Sequence, residues 1–321
     1  MRAITVTAEG ELALADAPDP VPGPGEVVIA VAAAGVNRAD LLQRAGHYPP
    51  PPGASETIGL EVSGTVAALG PGVTTWEVGD RVCALLAGGG YAEQVVVPAS
   101  QVLPVPAALD LVDAAALPEA VCTAWSNLVL TAGLSAGDTV LIHGGSGGVG
   151  SVAVQLARAV GARVLATAGG PERADRCEQL GADVGIDYRG DVPHAVAAAT
   201  DGRGADVILD VLGAGGLPDN LAMLATGGRL VVIGTQRGAR GEVDLLRLMA
   251  KRASIHGTTL RGRPVAEKAA IVAEVRARVW PMLDDGRLAV VVHDRLPLAQ
   301  AGRAHELMDS GEVFGKLLLL P

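Results

Sequence analysis

The chain has 321 residues, enough for about two domains of the usual ~150 residues. Hydrophobic residues make up 49% and charged residues 19%, and no run approaches the ~18 consecutive apolar residues of a membrane helix, so the composition excludes a transmembrane protein. The net charge of −10 repels phosphate backbones and argues against nucleic acid as the main partner.

The cysteines and the N-terminus indicate a cellular location. Cys83, Cys122 and Cys177 lie far apart, which is typical neither of a metal-binding Cys-x-x-Cys pair nor of a disulfide framework. The first six residues alternate like a strand and lack the charged start and apolar block of a signal peptide. We therefore expect a cytoplasmic protein with reduced thiols.

The chain up to about Leu117 predicts a β-rich domain. Short β-like runs are separated there by glycine and proline. The runs are residues 3–7, 11–15, 26–34, 62–69, 81–86 and 91–98. Their spacing indicates a barrel-like arrangement.

From Thr139 onward, apolar strands alternate with helical segments, which is typical of a parallel sheet built from βαβ units. The predicted strands are residues 139–143, 163–168, 184–187, 207–210, 229–234 and 254–257. Six such strands complete a doubly wound sheet. After Thr258 we predict a helix (265–283), a strand (288–293), a second helix (298–310) and a closing strand (316–320), which pack back onto the first domain.

A glycine-rich loop follows the first strand of that sheet. Gly144, Gly147 and Gly150 have the spacing G-x-x-G-x-x-G, a variant of the dinucleotide-binding loop, and an amphipathic helix follows them. Glycine permits the tight turn and lets backbone N–H groups reach a pyrophosphate at the positive end of a helix. Because the strand, the helix and five further strands supply the context that the motif needs, we predict dinucleotide binding rather than a plain structural turn.

The end of the second strand favours NADPH over NADH. An NAD site carries an acid about 20 residues past the glycines, whereas this strand ends in Ala168-Gly169-Gly170 and no acid occurs between Gly150 and Glu172. The positive charge of Arg173, at the start of the next helix, suits a 2′-phosphate. The alternative interpretation is that Arg173 is simply a solvated helix residue. Glu172 either repels that phosphate or stabilises the helix N-terminus. Tyr188, after the third strand, either contacts the same phosphate or packs on the surface.

Several segments resemble one protein family. Residues 59–66 (GLEVSGTV) and 79–82 (GDRV) are similar to the signature of the medium-chain dehydrogenase/reductase superfamily. Residues 35–40 (GVNRAD), the loop 46–53 (GHYPPPPG) and the glycine loop look like the zinc-independent quinone oxidoreductases related to zeta-crystallin, above all the tumour-suppressor-inducible branch. The similarity covers nearly the whole chain. It implies an α/β protein with a GroES-like β-barrel domain (1–121 and 259–321) and a doubly wound, six-stranded parallel Rossmann domain (122–258).

The resemblance also bears on zinc. The zinc-dependent alcohol dehydrogenases of this superfamily carry a cysteine where this chain has Asn37, a histidine where it has Leu60, and a lobe with four closely spaced cysteines. This chain has none of these, and its six histidines are scattered. We therefore predict no metal site and no metal-bound alkoxide in the mechanism.

The resemblance implies a role for each candidate site residue. Asn37 and Tyr48 are expected beside the nicotinamide, Thr123 is expected against its ring, and the segment 313–316, which begins at Val313, is expected to close over it. The pyrophosphate is assigned to the loop from Gly144 to Gly150, through Ser146, Gly147, Gly148 and Val149. Arg173 and Tyr188 are assigned to the 2′-phosphate, while Gly213 and Gly234 let the cofactor lie across the strand ends. The last sheet strand, 254–257, is expected to pair in a homodimer.

Two of these residues also have physical arguments of their own. Four consecutive prolines follow Tyr48 and lock its loop into an extended rod, so the phenol is held at little entropic cost. The alternative for Tyr48 is a rigid surface linker. Asn37 either contacts the substrate or caps the helix that starts near Arg38.

These features predict an enzyme, an NADPH:quinone oxidoreductase that transfers hydride to a small-molecule quinone without metal. Reduction of a quinone gains aromaticity, so positioning and a hydrogen bond to the developing oxyanion suffice, from Tyr48 in preference to Asn37. The source of the proton, Tyr48 or water, and one- versus two-electron reduction stay open. The alternatives are an NADPH-dependent reductase of activated C=C bonds in enals or enones, and a non-catalytic, crystallin-like NADPH-binding protein.

Overall fold

The computed structural model describes residues 1–7 and 10–321, which divide into two compact units. The first unit comprises Met1–Cys122, Leu260–Gly286 and Val290–Pro321. The second unit comprises Thr123–Thr259 and Arg287–Ala289. Each unit is described by itself below.

The described residues form strands in two groups in the first unit and alternating strands and helices in the second. The strands are β1 (Arg2–Val6), β2 (Leu12–Asp16), β3 (Glu26–Gly35), β4 (Glu61–Leu69), β5 (Arg81–Leu85), β6 (Gln94–Pro98), β7 (Val102–Pro104), β8 (Thr139–Ile142), β9 (Arg163–Ala168), β10 (Val184–Asp187), β11 (Ala205–Asp210), β12 (Leu224–Val232), β13 (Ser254–Gly257), β14 (Val292–Pro297) and β15 (Lys316–Leu320). The α-helices are α1 (Arg38–Arg44), α2 (Pro118–Trp125), α3 (Gly148–Val160), α4 (Pro171–Gln179), α5 (Val192–Ala199), α6 (Leu217–Met223), α7 (Leu245–Lys251), α8 (Val265–Arg278), α9 (Trp280–Asp284) and α10 (Ala301–Asp309). A π-helix, Ser126–Thr131, follows α2 directly.

The first unit is built on a mainly antiparallel sheet. Its strand order is β14-β15-β3-β4-β5-β7, β6 also pairs with β3, and only β14 and β15 are parallel to each other. Gly64 allows β3 and β4 to approach, because an added Cβ would lie 2.0 Å from the carbonyl oxygen of Ala30. A core of valine, isoleucine and leucine packs around the buried side chains of Tyr91 and Trp76. The predicted β-rich domain is thereby confirmed.

The second unit is a parallel six-stranded sheet with the order β10-β9-β8-β11-β12-β13. Counted from β8, this order is 3-2-1-4-5-6, that of the doubly wound dinucleotide-binding fold, as predicted. The central residues of its strands are mostly apolar, and Leu141, Leu165, Ile208 and Leu230 are fully buried, as expected for a parallel sheet covered on both faces. In such sheets ligands bind at the carboxyl ends of the strands where the order reverses, here at β8 and β11.

The structure differs from the predicted elements near the C-terminus. The predicted helix 265–283 is two helices, α8 and α9, because Pro281 in the first turn of α9 has no N–H with which to continue a single helix. The predicted strand 288–293 lies later, at β14. Leu288 is buried, but the Gln155 side chain binds the backbone of Ala289, donating from Nε2 to its carbonyl (3.0 Å) and accepting its N–H at Oε1 (2.8 Å). The apolar run therefore reflects a buried connection.

Two further findings concern the helices. The sequence pattern did not predict α2 and the π-helix that continues it, although they carry Thr123. None of the helices in the described residues combines the length and apolarity that a bilayer crossing demands.

Candidate functional site

The glycine loop of the second unit has the geometry of a dinucleotide loop. Gly144 has a φ of +70°, which glycine adopts readily, and Gly147 is the N-cap of α3. An added Cβ on Gly150 would lie 2.0 Å from the carbonyl oxygen of Gly144, so only glycine fits there. Thr167 on β9 holds the loop by accepting the N–H of Gly144 at its hydroxyl (3.2 Å) and that of Gly145 at its carbonyl (2.8 Å).

The first turn of α3 presents backbone donors for an anion. Gly148 and Val149 are its first two residues, and the N–H groups of a first turn have no acceptor within their own helix. An added Cβ on Gly147 would meet only the Gly144 carbonyl oxygen, at 3.4 Å, so the space beside Gly147 itself is open. This cradle fits the pyrophosphate of a dinucleotide at the positive end of a helix.

A pocket of about 310 Å³ lies at the end of β9, where the sequence predicts the 2′-phosphate. It is lined by Gly169, Gly170, Pro171, Glu172, Arg173 and Arg189. The guanidinium of Arg189 lies over Gly170, with Nη1 3.1 Å from where an added Cβ would be, and the Tyr188 hydroxyl lies over Gly169 in the same way at 2.7 Å. Arg173 is half-buried, and Tyr188 is 47% exposed. Sequence reasoning missed Arg189. The signal that could have identified it is a second positively charged residue directly after Tyr188.

The acid that binds the backbone of this pocket lies at the end of the third strand of the sheet, β10. Asp187 at the end of β10 accepts the N–H groups of Gly170 (2.9 Å) and Arg189 (3.1 Å) at Oδ1. These two bonds, of which the one from Arg189 is the stronger cause, lower the pKa of Asp187. The Asp187 carboxylate therefore holds the backbone turns at Gly170 and Arg189. β9 itself ends in the uncharged Ala168, as expected for a site that accepts a 2′-phosphate.

The ends of β11 and β12 are held together by close backbone contacts. Gly213 has a φ of +73°, and its N–H donates to Asp210 Oδ2 at 2.8 Å. An added Cβ on Gly213 would lie 2.7 Å from the carbonyl oxygen of Gly238, and one on Gly234 would lie 3.1 Å from that of Val211. Glycine at both positions therefore lets the two strand ends come together at the carboxyl edge of the sheet.

Thr123 is buried at the junction of α2 and the π-helix. Its carbonyl accepts hydrogen bonds from Asn127 Nδ2 (2.8 Å) and from the Ser126 hydroxyl (3.3 Å). Side chains three and four residues further along a helix commonly bond back to such a carbonyl. Its predicted contact with the nicotinamide stays a prediction.

In the first unit, Tyr48 lies in the loop after α1 and is half-buried. The guanidinium carbon of Arg261 is 5.3 Å from the centroid of its ring, and Arg261 Nη1 donates to the Tyr48 carbonyl at 3.2 Å. The pKa of Tyr48 is raised above its usual value. Burial is the main cause, the Arg261 cation opposes it, and Glu119 adds to it. The phenol is therefore protonated at neutral pH and suited to donate a hydrogen bond. Sequence reasoning missed Arg261, which is 213 residues away.

Asn37 is the N-cap residue of α1, but its side chain faces a buried ion pair. Lys316 Nζ donates to Asn37 Oδ1 at 2.7 Å, Asn37 Nδ2 donates to Glu61 Oε1 at 2.9 Å, and Lys316 pairs with Glu61. The backbone N–H of Asn37 donates to Asp40 Oδ2 at 2.7 Å, which also accepts from the Tyr91 hydroxyl at 2.9 Å. Burial raises the pKa of Asp40 to about 7. Asn37 thus connects β3, β4 and β15, and its catalytic role stays a prediction.

The segment that begins at Val313 is anchored on both sides. Val313 is half-buried, and the ring of Phe314 is buried in the first unit. Gly315 has a φ of +91°, and an added Cβ would lie 2.2 Å from the carbonyl oxygen of Val291. The turn before β15 therefore requires glycine, and Lys316 directly follows it.

Comparison with known proteins covers both units. One family model, described as an alcohol dehydrogenase GroES-like domain, matches residues 23–107, and another, described as a zinc-binding dehydrogenase, matches residues 148–274. Within residues 1–7 and 10–321, no three His, Cys, Asp or Glu side chains are grouped so that they would hold a metal ion. The expected absence of zinc stays a prediction.

Quinone oxidoreductases are among the similar proteins. The rat quinone oxidoreductase is 33% identical over 293 residues, covering 90% of this chain and 87% of the relative. The crystal structure of Escherichia coli quinone oxidoreductase complexed with NADPH matches with a TM-score of 0.89 at 29% identity, covering 100% of this chain and 99% of that one.

A longer relative is similar over the same range. A mycocerosic acid synthase-like polyketide synthase of Mycobacterium tuberculosis is 37% identical over 290 residues, which are 89% of this chain. The chain spans only 14% of that relative's length. From the order of motifs, the two folded units and the full-length similarity to the rat enzyme, the chain belongs to the quinone oxidoreductase family of the medium-chain dehydrogenase/reductase superfamily.

Proposed function

We propose that this protein is an NADPH-dependent quinone reductase that converts a quinone, NADPH and a proton into a hydroquinone and NADP⁺. The observation that carries the proposal is Tyr48, a protonated phenol held against the buried cation of Arg261 in a chain that also has a dinucleotide loop. The quinone oxidoreductases of rat and Escherichia coli support the acceptor, and the latter's complex with NADPH supports the cofactor.

The second unit is proposed to bind NADPH through the features described above. The first turn of α3, with Gly148 and Val149, binds the pyrophosphate. Arg173 and Arg189 bind the 2′-phosphate as charge-assisted donors, and Tyr188 lies beside them. When bound, NADPH supplies the hydride.

The first unit is proposed to act on the quinone. A quinone that accepts hydride develops negative charge on one oxygen, and a fixed hydrogen-bond donor stabilises that charge. Tyr48 is the proposed donor. Asn37 has its amide bonded to Lys316 and Glu61, so we propose that it maintains the shape of the site beside Tyr48.

The test is the steady-state rate of NADPH oxidation with 1,2-naphthoquinone and with a 2-alkenal. We expect turnover of the quinone, and in Tyr48→Phe a fall of about ten- to hundredfold in kcat/KM with unchanged affinity for NADPH. His47→Ala, an exposed neighbour in the same loop, is the control. An unchanged kcat/KM in Tyr48→Phe would contradict the proposed role of the phenol.

The same assay decides between the proposal and two others. Reduction of an activated C=C bond in an enal or enone is the second candidate, because a hydride from NADPH and a phenol donor serve that acceptor as well as a quinone. Turnover of the alkenal alone would replace the quinone proposal by this one. Tight NADPH binding without turnover of either substrate would favour a non-catalytic, crystallin-like protein.

We further propose a homodimer that forms along β13, in a reducing compartment such as the cytoplasm. Among the strands of the described residues, β13 pairs with β12 alone, so its outer edge has unpaired backbone groups. On α7, close before it in sequence, Leu245, Leu246 and Met249 are 64%, 77% and 72% exposed. Apolar exposure of this kind beside a sheet edge is typical of a surface that pairs with a second copy. The three cysteines are buried free thiols, consistent with reducing surroundings.

A further inference from the structure

Arg261, in the segment between β13 and α8, is a buried cation that holds the tyrosine loop in place. It is 5% exposed, and three of its nitrogens donate to neutral acceptors. Nε donates to the Ala87 carbonyl at 2.7 Å, Nη1 to the Tyr48 carbonyl at 3.2 Å, and Nη2 to Gln43 Oε1 at 2.8 Å. One guanidinium thus connects two segments, residues 43–48 and the backbone at Ala87, that are distant from it in sequence.

Within residues 1–7 and 10–321, no carboxylate forms an ion pair with Arg261. Its polar and ring contacts there are the three hydrogen bonds above, the Tyr48 ring, and the bond that its own carbonyl accepts from Lys268 Nζ at 3.4 Å. Lys268 on α8 is a second buried cation and therefore adds positive charge. Burial lowers the pKa of Arg261, and the charges of Asp40 on α1 and Glu56, in the loop before β4, partly offset this without forming an ion pair with it. Because buried charge is costly without a counter-ion, this site strongly favours negative charge nearby.

The group that faces this charge is the phenol of Tyr48. The guanidinium carbon is 5.3 Å from the ring centroid, within the range of a cation–π contact. In surroundings of low dielectric constant a cation at this distance stabilises negative charge on the phenol oxygen. Glu119, at the start of α2, opposes it. A donor whose conjugate base is stabilised donates a stronger hydrogen bond.

We propose that Arg261 is a positioning residue for Tyr48, which fixes the phenol and strengthens it as a donor to the oxygen that gains negative charge. The inference rests on the proposed function, in which Tyr48 binds that oxygen. The inference adds that the reaction depends on a buried cation without an ion-pair partner beside the Tyr48 ring, and that this cation is Arg261.

Gln43→Glu separates the charge from the anchoring bonds. Glutamate has nearly the shape of glutamine and accepts the same bond from Arg261 Nη2, while its carboxylate pairs with the cation and cancels its field at Tyr48. The variant also loses the bond that Gln43 Nε2 donates to the Glu56 carbonyl at 2.9 Å, which the double-mutant cycle below controls for. Arg261→Lys is the complementary variant, because it keeps the positive charge but lacks the planar fork that makes the three bonds. Neither variant removes the phenol.

The experiment measures the titration of the Tyr48 phenol and the effect of each variant on kcat/KM. Since the chain has three tyrosines, labelling with [4-¹³C]tyrosine gives three resonances; Tyr48→Phe identifies that of Tyr48, and Tyr188 is the internal reference. In Gln43→Glu we expect Tyr48 to titrate at higher pH than in the wild type while Tyr188 is unchanged. We also expect kcat/KM for 1,2-naphthoquinone to fall about tenfold with unchanged NADPH affinity. In Arg261→Lys the titration stays near that of the wild type while kcat/KM falls.

A double-mutant cycle completes the test. In the Tyr48→Phe background, Gln43→Glu is expected to cause no further loss of kcat/KM, because Arg261 acts through the phenol. An equal loss in both backgrounds, or an unchanged Tyr48 titration in Gln43→Glu, would overturn the inference. If the wild type turns over no quinone, the proposed function fails, while the titration still decides whether Arg261 controls the phenol.

Discussion

Removing the arginines at the end of β9 should abolish a preference for NADPH, to a degree that follows from their exposure. A charge-assisted hydrogen bond contributes about 1.5–3 kcal/mol, equivalent to about 10- to 140-fold in affinity. Arg173 is half-buried, so we expect Arg173→Ala to weaken NADPH binding by about 30-fold, within that range. Arg189 is exposed, and since solvent and salt screen such charges, we expect only about three- to tenfold for Arg189→Ala.

The assay is fluorescence titration with NADPH and with NADH at two salt concentrations. NADH lacks the 2′-phosphate, so its affinity should be unchanged in both variants, and the NADPH losses should shrink at high salt. Arg176→Ala is the matched control, because it removes the same charge from α4 without lining the pocket. Persistence of the wild-type NADPH preference in the double variant Arg173→Ala, Arg189→Ala would refute the assignment of this pocket to the 2′-phosphate.

Three further outcomes are expected. Gly150→Ala should abolish dinucleotide binding without unfolding the protein, since its Cβ would collide with the carbonyl of Gly144, and normal NADPH affinity in a folded variant would disprove the loop assignment. Lys316→Met should reduce the free energy of unfolding in urea by about 3–5 kcal/mol, because Glu61 is left buried and unpaired, whereas a loss below about 1 kcal/mol would show that the pair is not needed. Sizing chromatography at micromolar concentration should give a dimer for the wild type and a monomer for Leu246→Glu, and a monomeric wild type would contradict pairing along β13.

The features that the sequence predicted well are local. The strand, the glycines and the helix of the dinucleotide loop are consecutive, so their spacing alone specifies a tight turn with donors at a helix start. The clash that requires Gly150 to be glycine involves Gly144, only six residues earlier. The alternation of apolar strands with helices likewise predicted the doubly wound sheet, because each βαβ unit is formed by neighbouring segments.

Predictions failed where an apolar pattern had two possible explanations. Residues 288–293 look like a strand, but Leu288 is buried in a connection whose backbone binds the Gln155 side chain. The run 265–283 has helical character throughout, yet Pro281 divides it into two helices. Hydrophobicity reports burial, and only the hydrogen-bond partners decide which element is buried.

The amino-acid sequence by itself determined the fold class, the dinucleotide loop and the uncharged end of β9, because these depend on neighbouring residues and on glycine's freedom in tight turns. Only the tertiary structure decided which distant side chains meet. Arg189 joins Arg173 because β9 and β10 are adjacent, Arg261 reaches Tyr48 across 213 residues, and Asn37 faces Lys316 from another strand. Such contacts depend on how strands and loops pack in space, and no spacing along the chain encodes them.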